Sequence, residues 1–334
     1  MARLLPDRFI LMLLSAVLLA SLLPITGVPA YWFGIATKIA IAVLFFLHGA
    51  RLSRDVVIAG MLHWKLHLTI LAVSFGVFPL LGLAVVHLLP FDLPQGLLAG
   101  ILFVCVLPST VQSSIAFTSM AGGNVPAAIC AASASNILGM FLTPLLVGLL
   151  LATGTGGGGF SLDALEQILL QLLAPFILGQ LLEPVVGKWV RSHKKLLNPI
   201  DRGSILMVVY LAFSEAVVEG LWRQLAISDL VVLLVVNAVI LGIVLALTMF
   251  GSRLLGFNKA DEITITFCGS KKSLASGVPI AGAIFAGQGV GAIVLPLMLF
   301  HQMQLMACAV IAQRYAAKAR AAEAAEAQAA TLSA

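Results

Sequence analysis

In residues 262–286, EITITFCGSKKSLASGVPIAGAIFA, a pair of lysines interrupts a long and mostly apolar run. A helix needs about 20 apolar residues to cross the hydrocarbon core of a bilayer, and this run is long enough. Charged residues inside a membrane are costly, so Lys271 and Lys272 indicate a function. The Gly, Ser and Pro residues around them predict a break in the helix at 269–276, where backbone groups need protein or water partners.

A second segment of the same kind lies in the first half of the chain. Residues 107–114 read LPSTVQSS, so Pro108 is followed by six residues of which five are polar. This pattern predicts a second broken helix, with its break at 108–113. One break alone is equally well explained as a kink whose Ser and Thr residues pack between helices. Two breaks at matching places in two halves of a chain favour a transport site, where helix ends offer N–H and C=O groups to an ion or an anionic substrate.

The composition indicates that most of the surface faces lipid. Of 334 residues, 61% are hydrophobic and only 10% are charged, and the mean hydropathy is +1.10. Soluble proteins carry about 25% charged residues, so this chain cannot coat a soluble globule. The net charge of +5 does not indicate nucleic acid, because the basic residues lie in short loops between apolar runs.

The apolar runs predict an all-α polytopic membrane protein with ten transmembrane helices. The predicted spans are 9–24, 31–50, 66–89, 94–118, 125–152, 164–187, 203–221, 229–250, 262–286 and 290–313. With the N-terminus in the cytoplasm, fifteen basic residues fall on the inner side and only Arg223 falls in an outer loop. Such an asymmetry supports the parse, because inner loops are enriched in Lys and Arg. Both termini are therefore expected in the cytoplasm.

The spans divide into two halves of five helices. The first inverted repeat covers 1–152 and the second covers 164–313. They are joined by the Gly-rich outer loop 153–163 and followed by an Ala-rich cytoplasmic tail, 314–334. Because five is odd, the second half enters the membrane from the opposite side, as in alternating-access transporters. Residues 1–30 also resemble a signal peptide, and retention of the first helix is favoured because the repeat needs it.

Enzyme chemistry finds no support in the sequence. The chain has no HExxH, no GxSxG and no P-loop, and the four cysteines lie in apolar segments without a CxxC pair. The candidate substrate or ion ligands are therefore the polar residues of the two broken spans and of span five. They are Ser109, Thr110, Gln112, Ser113, Ser114, Ser133, Asn136, Ser270, Lys271, Lys272 and Ser273. Glu215 is either a charge partner of a lysine or an interfacial residue beside Glu219, and His301 is more often a packed histidine than a proton relay.

At these motifs the chain resembles the bile acid:sodium symporter superfamily, in particular the branch that includes the seventh human member of solute carrier family ten and its bacterial homologues. The resemblance covers about residues 8–315. It rests on Leu107–Ser114, on Gly123-Asn124-Val125, on Leu142-Thr143-Pro144, and on Gly269–Ser273 followed by Gly277-Val278-Pro279. It implies a panel domain of spans 1, 2, 6 and 7 and a core domain of the other six. Broken spans 4 and 9 should cross in the core.

The resemblance also implies where this chain departs from the sodium-coupled members. Their sodium-binding Glu falls on Phe267, and the next two polar positions fall on Lys271 and Lys272. Ser114 is kept, whereas the other ligand positions are occupied by Ile115, Ala128, Ala132 and Ser74. A sodium site needs oxygen ligands, and lysine supplies none. Ser114 is thus the only retained sodium-ligand candidate, so sodium coupling is disfavoured and the coupling ion is left open between Na⁺ and H⁺. No cofactor is expected.

The sequence therefore predicts a secondary transporter of an organic anion, such as a bile-acid-like or other amphipathic acid. The two lysines would either replace sodium electrostatically or attract the carboxylate or sulfate of the substrate. One buried lysine would carry a proton, or both would stay charged and bind an anion. The competing functions are a regulatory or scaffold membrane protein that affects ion homeostasis without transport, and a passive channel. The expected partners are the organic anion and the lipid bilayer, and nucleic acid is not expected. The sequence does not indicate the oligomeric state.

Overall fold

A computed structural model describes residues 8–51, 63–88, 93–154, 162–285 and 289–332. Within these ranges the chain is all-helical, without a β-strand. The helices are α1 Arg8–Leu22, α2 Gly27–Arg51, α3 Trp64–Leu88, α4 Gln95–Val106, α5 Gln112–Met120, α6 Val125–Gly154, α7 Leu162–Leu181, α8 Glu183–Ser192, α9 Lys194–Val218, α10 Leu221–Gln224, α11 Ile227–Leu254, α12 Lys259–Gly269, α13 Leu274–Ile284 and α14 Val290–Leu332.

Six of these helices are long and apolar enough to cross a membrane. They include Gly27–Arg51, Trp64–Leu88, Val125–Leu150, Leu196–Val218, Ile227–Leu254 and Val290–Ala321. Shorter apolar helices cover Leu11–Leu22, Gln95–Val106 and Leu172–Leu181. All six long helices coincide with predicted spans. The other four predicted spans, 1, 4, 6 and 9, are not among the six, so the count of ten spans stays a prediction. Spans 4 and 9 fall short because each is divided into two short helices by a break.

Both breaks are narrower than the sequence predicts. The first comprises residues 107–111, so that Gln112 and Ser113 already belong to α5. The second comprises residues 270–273 and ends early, because the Ser273 side chain accepts a hydrogen bond from the Ser276 N–H and caps α13. A serine at this position supplies one of the first turn's missing acceptors and starts the helix.

The basic segment after span 6 is helical, whereas the sequence analysis treats it as a loop. Helix α7 ends at Leu181. Only Leu182 separates it from α8, and only His193 separates α8 from α9. Pro184 stands in the first turn of α8, where its missing N–H is tolerated. Glu183 pairs with Arg191 two turns later at 2.6 Å, so charge here stabilises a helix instead of marking a loop.

Close packing of small residues brings the helices together. A Cβ on Gly49 of α2 would collide with the Phe176 carbonyl of α7, and one on Gly179 of α7 would collide with the Phe46 carbonyl of α2. Small residues at helix crossings let backbones approach in this way inside a membrane. A Cβ on Gly100 of α4 would likewise meet Ile293 and Pro296 of α14. The lysine pair lies where α4, α5, α12 and α13 meet.

Candidate functional site

The two helix breaks contact each other directly. The Ser273 N–H donates to the Pro108 carbonyl at 2.8 Å. In the other direction, Ser109 Oγ donates to the Cys268 carbonyl at 2.6 Å and Ser114 Oγ donates to the Phe267 carbonyl at 3.0 Å. Each break therefore supplies donors to the carbonyls that the other break leaves without helical partners, which is how irregular backbone is tolerated away from water.

The carbonyl groups at the end of α4 lose their usual partners because of Pro108 and Ser109. Pro108 has no N–H, and the Ser109 N–H turns away to Ser135 Oγ at 3.0 Å. The Val106 carbonyl accepts instead from Thr143 Oγ1 at 2.8 Å. The carbonyls on either side of it, at Cys105 and Leu107, accept from a lysine of the other break.

That lysine is Lys272, whose side chain is fully buried. Its ammonium group donates to the carbonyls of Cys105 at 3.0 Å, Leu107 at 2.8 Å and Ser74 at 2.8 Å. An ammonium group has three N–H donors, so all of them are used. The group also lies 3.9 Å from the centre of the Phe78 ring. A positive charge at the C-terminal end of α4 is favourable, because that end carries partial negative charge.

The Ser74 carbonyl is free to accept because of a local change in helix type. Helix α3 contains one turn of π-helix, Val73–Val77, in which the Phe78 N–H bonds to the Val73 carbonyl. The next bond of that register would join the N–H of residue 79 to the Ser74 carbonyl. Residue 79 is a proline and has no N–H, so the carbonyl is left for Lys272.

The backbone of Lys272 is held by a residue that the sequence analysis does not select. Gln304 of α14 is fully buried, and its Oε1 accepts from the Lys272 N–H at 2.8 Å. Its Nε2 donates to the Lys272 carbonyl at 2.8 Å and lies 2.9 Å from His301 Nδ1. The side-chain amide thus pairs with both polar groups of one unwound residue, and this fixes the position from which the Lys272 side chain starts.

Lys271 is equally buried but has a different environment. Its ammonium group has no hydrogen-bond acceptor in the described part of the chain. It lies 4.1 Å from the centre of the Phe117 ring and 5.6 Å from that of Phe267. Aromatic faces attract a cation by about 0.5–2 kcal/mol, much less than the several kcal/mol that removal of an ion from water costs.

Acidic side chains of the described residues do not neutralise either lysine. The ion pairs found among them are Arg51–Asp201, Arg191–Glu183, Arg253–Glu262 and Lys259–Glu262. Glu262 also accepts from the Tyr315 hydroxyl, and Asp261 accepts from Asn124 and Asn258. Glu215 is half-buried one helical turn from Glu219, and no ion pair joins it to Lys271 or Lys272 within these residues.

The remaining predicted ligands form two groups. Ser109, Thr110, Ser114, Ser270 and Ser273 are buried. Gln112 is exposed, and Ser113, Ser133 and Asn136 are partly exposed. Asn136 Nδ2 donates to the Ser109 carbonyl at 2.7 Å, and Asn136 Oδ1 accepts from Ser276 Oγ at 2.7 Å. Ser113 bonds to Thr110, so Ser113, Asn136 and Ser276 are partly exposed polar residues that contact the crossing, here called the open face, whereas both lysines are fully buried.

The positions that the resemblance assigns to sodium ligands are mostly apolar in three dimensions. Ala128 belongs to a buried apolar cluster with Leu66, Ile70, Ala127, Ala131, Ile265 and Cys268, and Ile115 packs against that cluster. Ala132 is fully buried, and Ser114 bonds to the Phe267 carbonyl. Ser74 and Lys272, which are two further such positions, contact each other through the Ser74 carbonyl and the ammonium group.

Apolar helices of membrane-crossing length, arranged around two broken helices that exchange hydrogen bonds, define an integral membrane transporter. The family model for the SBF-like CPA transporters matches residues 7–317, and the chain belongs to that family. Transporters and symporters of this kind are not enzymes in general.

Several curated proteins are similar over most of their length. An uncharacterized protein of Pseudomonas aeruginosa is 58% identical over 314 residues, which is 94% of each chain. The candidate symporter YfeH of Escherichia coli K12 is 53% identical over 309 residues, 92% of each chain. The sodium/bile acid cotransporter 7 of Rattus norvegicus is 28% identical over 271 residues, 80% of this chain and 79% of its own. The resemblance noted from the motifs is thereby confirmed.

Proposed function

We propose that the chain is a sodium-independent secondary transporter of an organic anion, working by alternating access in the inner membrane of a bacterium. Its ten spans form two inverted repeats, and broken spans 4 and 9 cross inside a core domain that moves against a panel domain. The reciprocal hydrogen bonds between residues 107–114 and 267–273 support the crossing. The N- and C-termini lie in the cytoplasm, as the distribution of basic residues favours.

The observation that carries this proposal is the ammonium group of Lys272 among three backbone carbonyls. Carbonyl oxygens at broken helices are the groups that hold a coupling cation in secondary transporters. Here the cation belongs to the protein itself and is bonded through each of its N–H groups. A sodium ion would have to displace it, so this position supports transport that needs no sodium.

The other positions assigned to sodium ligands support the same conclusion. Ala128 and Ala132 offer no side-chain oxygen, and the Phe267 side chain replaces a carboxylate. The one retained hydroxyl, at Ser114, is bonded to the Phe267 carbonyl. One hydroxyl among apolar side chains does not provide the several oxygen ligands that a hard cation takes.

An anionic substrate is favoured by the charge at the crossing. Two fully buried lysines stand there without an acidic partner among the described side chains. The open face formed by Ser113, Asn136 and Ser276 offers polar groups at the same crossing. One relative is named a sodium/bile acid cotransporter, and an amphipathic acid is the corresponding substrate class proposed here.

Uptake into proteoliposomes tests this function against a scaffold and a channel. Purified protein would be reconstituted and given a radiolabelled sulfonated bile acid or radiolabelled decyl sulfate, in potassium or in sodium buffer. Both stay ionised and do not cross lipid as neutral acids, and protein-free liposomes are the control. We expect accumulation above the equilibrium concentration in potassium buffer under an inward proton gradient. Equilibration without accumulation would indicate a channel, absence of uptake of both acids would favour a scaffold, and a requirement for sodium would contradict the built-in cation.

A further inference from the structure

The two buried lysines leave one positive charge unexplained. Lys272 has an acceptor for each N–H, whereas Lys271 has none in the described part of the chain. Resting on the faces of Phe117 and Phe267 recovers only part of the cost of burying an ammonium group. A group that is expensive to bury and makes no hydrogen bond points to a partner that comes from outside the chain.

The polar groups near this ammonium group are donors or weak acceptors. Cys268 follows Phe267 in α12, and its thiol lies 4.0 Å from the Ala128 carbonyl. The Thr118 hydroxyl, next to Phe117 in α5, is buried, and its polar neighbour is the Cys268 thiol. Ser270 and Ser114 already donate to the Thr266 and Phe267 carbonyls. An unpaired ammonium group that has hydroxyl and thiol donors around it, and no carboxylate beside it in the described part of the chain, is chemically suited to an anion.

The ammonium group is also close to the open face. Phe117, which covers it, is itself only partly buried. Ser113 stands one helical turn before Phe117, so the two side chains lie on the same face of α5, and Gln112 next to Ser113 is exposed. A rotation of the Phe117 side chain would therefore connect Lys271 with the polar groups at the start of α5.

We propose that Lys271 binds the anionic head group of the transported substrate, a carboxylate or a sulfate, at a position that Phe117 covers in the absence of substrate. This inference rests on the proposed function, because the anion is taken to be the substrate. The roles of the two lysines then differ. Lys272 is a permanent part of the backbone network, and Lys271 is the group that receives the substrate.

Anion binding by protein in lipid nanodiscs tests the proposal without requiring transport. The probes are potassium decanoate, potassium decyl sulfate and the uncharged decanamide, with potassium acetate and inorganic potassium sulfate to separate an amphipathic anion from a free one. Binding would be followed as the rise in unfolding temperature. For the wild type we expect saturable stabilisation by decanoate or decyl sulfate. In Lys271→Gln and Lys271→Met, the half-saturating concentration should rise at least about tenfold.

Decanamide should bind the wild type and both variants alike, because it brings no charge to the site. Lys38→Gln is the matched control, since Lys38 is an exposed lysine on α2. Anion binding that is equally tight in the wild type and in whichever Lys271 variant folds would overturn the proposal, as would a wild type that none of the anions stabilises. If the Lys271 variants bind the anions as tightly as the wild type does, but the wild type accumulates substrate without sodium in proteoliposomes, the proposed function stands and only the role of Lys271 is wrong. Failure of the wild type to accumulate any acid would instead count against the function itself.

Discussion

Lys271 and Lys272 are neighbours in sequence and equally buried, yet their surroundings are opposite in kind. Around Lys272 three carbonyl oxygens, from α3 and from the end of α4, take up every N–H of the ammonium group. Around Lys271 two aromatic faces take the place of oxygen atoms. Burial of a charge therefore does not by itself define its role. A saturated ammonium group holds structure together, and an unsaturated one is available to a ligand.

The largest expected effect follows from removal of the saturated charge. Lys272→Met keeps the length of the side chain but leaves three buried carbonyls without donors. We expect a loss of stability on the order of 3–5 kcal/mol, since each orphaned acceptor costs about 1–3 kcal/mol. Thermal unfolding in detergent measures the change. A variant as stable as the wild type would show that these three bonds are not what holds the breaks together.

A smaller loss of stability is expected when the backbone of Lys272 loses its hydrogen bonds to the Gln304 side chain. Gln304→Met replaces the amide that pairs with the Lys272 N–H and carbonyl, and should cost about 2–3 kcal/mol. Gln302→Met on the same helix is the matched control, because Gln302 is partly exposed. Equal unfolding temperatures for the two variants would mean that the Gln304 amide does not position the break.

A third comparison concerns two single hydrogen bonds, one at the buried end of α4 and one at an exposed position of α3. Thr143→Val removes the donor to the Val106 carbonyl and should cost about 1–2 kcal/mol, because the acceptor is buried. Thr69→Val removes a similar bond, to the Lys65 carbonyl, at an exposed position of α3 and should cost much less. If the Thr143 and Thr69 variants unfold at the same temperature, the hydrogen bond from Thr143 to the Val106 carbonyl does not stabilise this break.

The smallest effect on stability is expected at the unsaturated charge. Lys271→Met replaces an ammonium group that lacks acceptors by an apolar side chain of similar length. Such replacements are often neutral or stabilising, so the free energy of unfolding should change by less than about 1 kcal/mol or increase. Measured beside Lys272→Met, this variant sharpens the comparison. A loss as large as that of Lys272→Met would mean that Lys271 has a structural partner.

Much of this arrangement can be predicted from the sequence because it depends on local chemistry. Pro108 with its polar neighbours predicts the first break, and the lysine pair within an apolar run predicts the second. The six long helices likewise follow from apolar runs of sufficient length. These features need only the cost of polar groups in lipid and the missing N–H of proline.

The features that the sequence analysis misses depend on contacts between distant residues. Adjacent lysines in an unwound segment can point in different directions, and their neighbours decide which of them finds oxygen atoms. The Ser74 carbonyl is available only because a π-turn precedes Pro79, and Gln304 is a single amide in an apolar run with no motif around it. The sequence analysis misses α8 and the first turns of α9 for another reason, because it equates basic residues with a loop although Arg191 pairs within its own helix.

Cation rescue at Lys272 decides whether its ammonium group replaces a coupling cation. Lys272→Ala leaves the Ser74, Cys105 and Leu107 carbonyls around a space where a small cation can bind. The unfolding temperature of this variant would be titrated with methylammonium, sodium and potassium, with N-methylglucamine keeping the ionic strength constant. The account predicts that at least one small cation stabilises Lys272→Ala in a saturable manner, while the wild type and Lys271→Ala do not respond. A Lys272→Ala protein that ignores all three cations, or a wild type that sodium stabilises to the same extent, would contradict it.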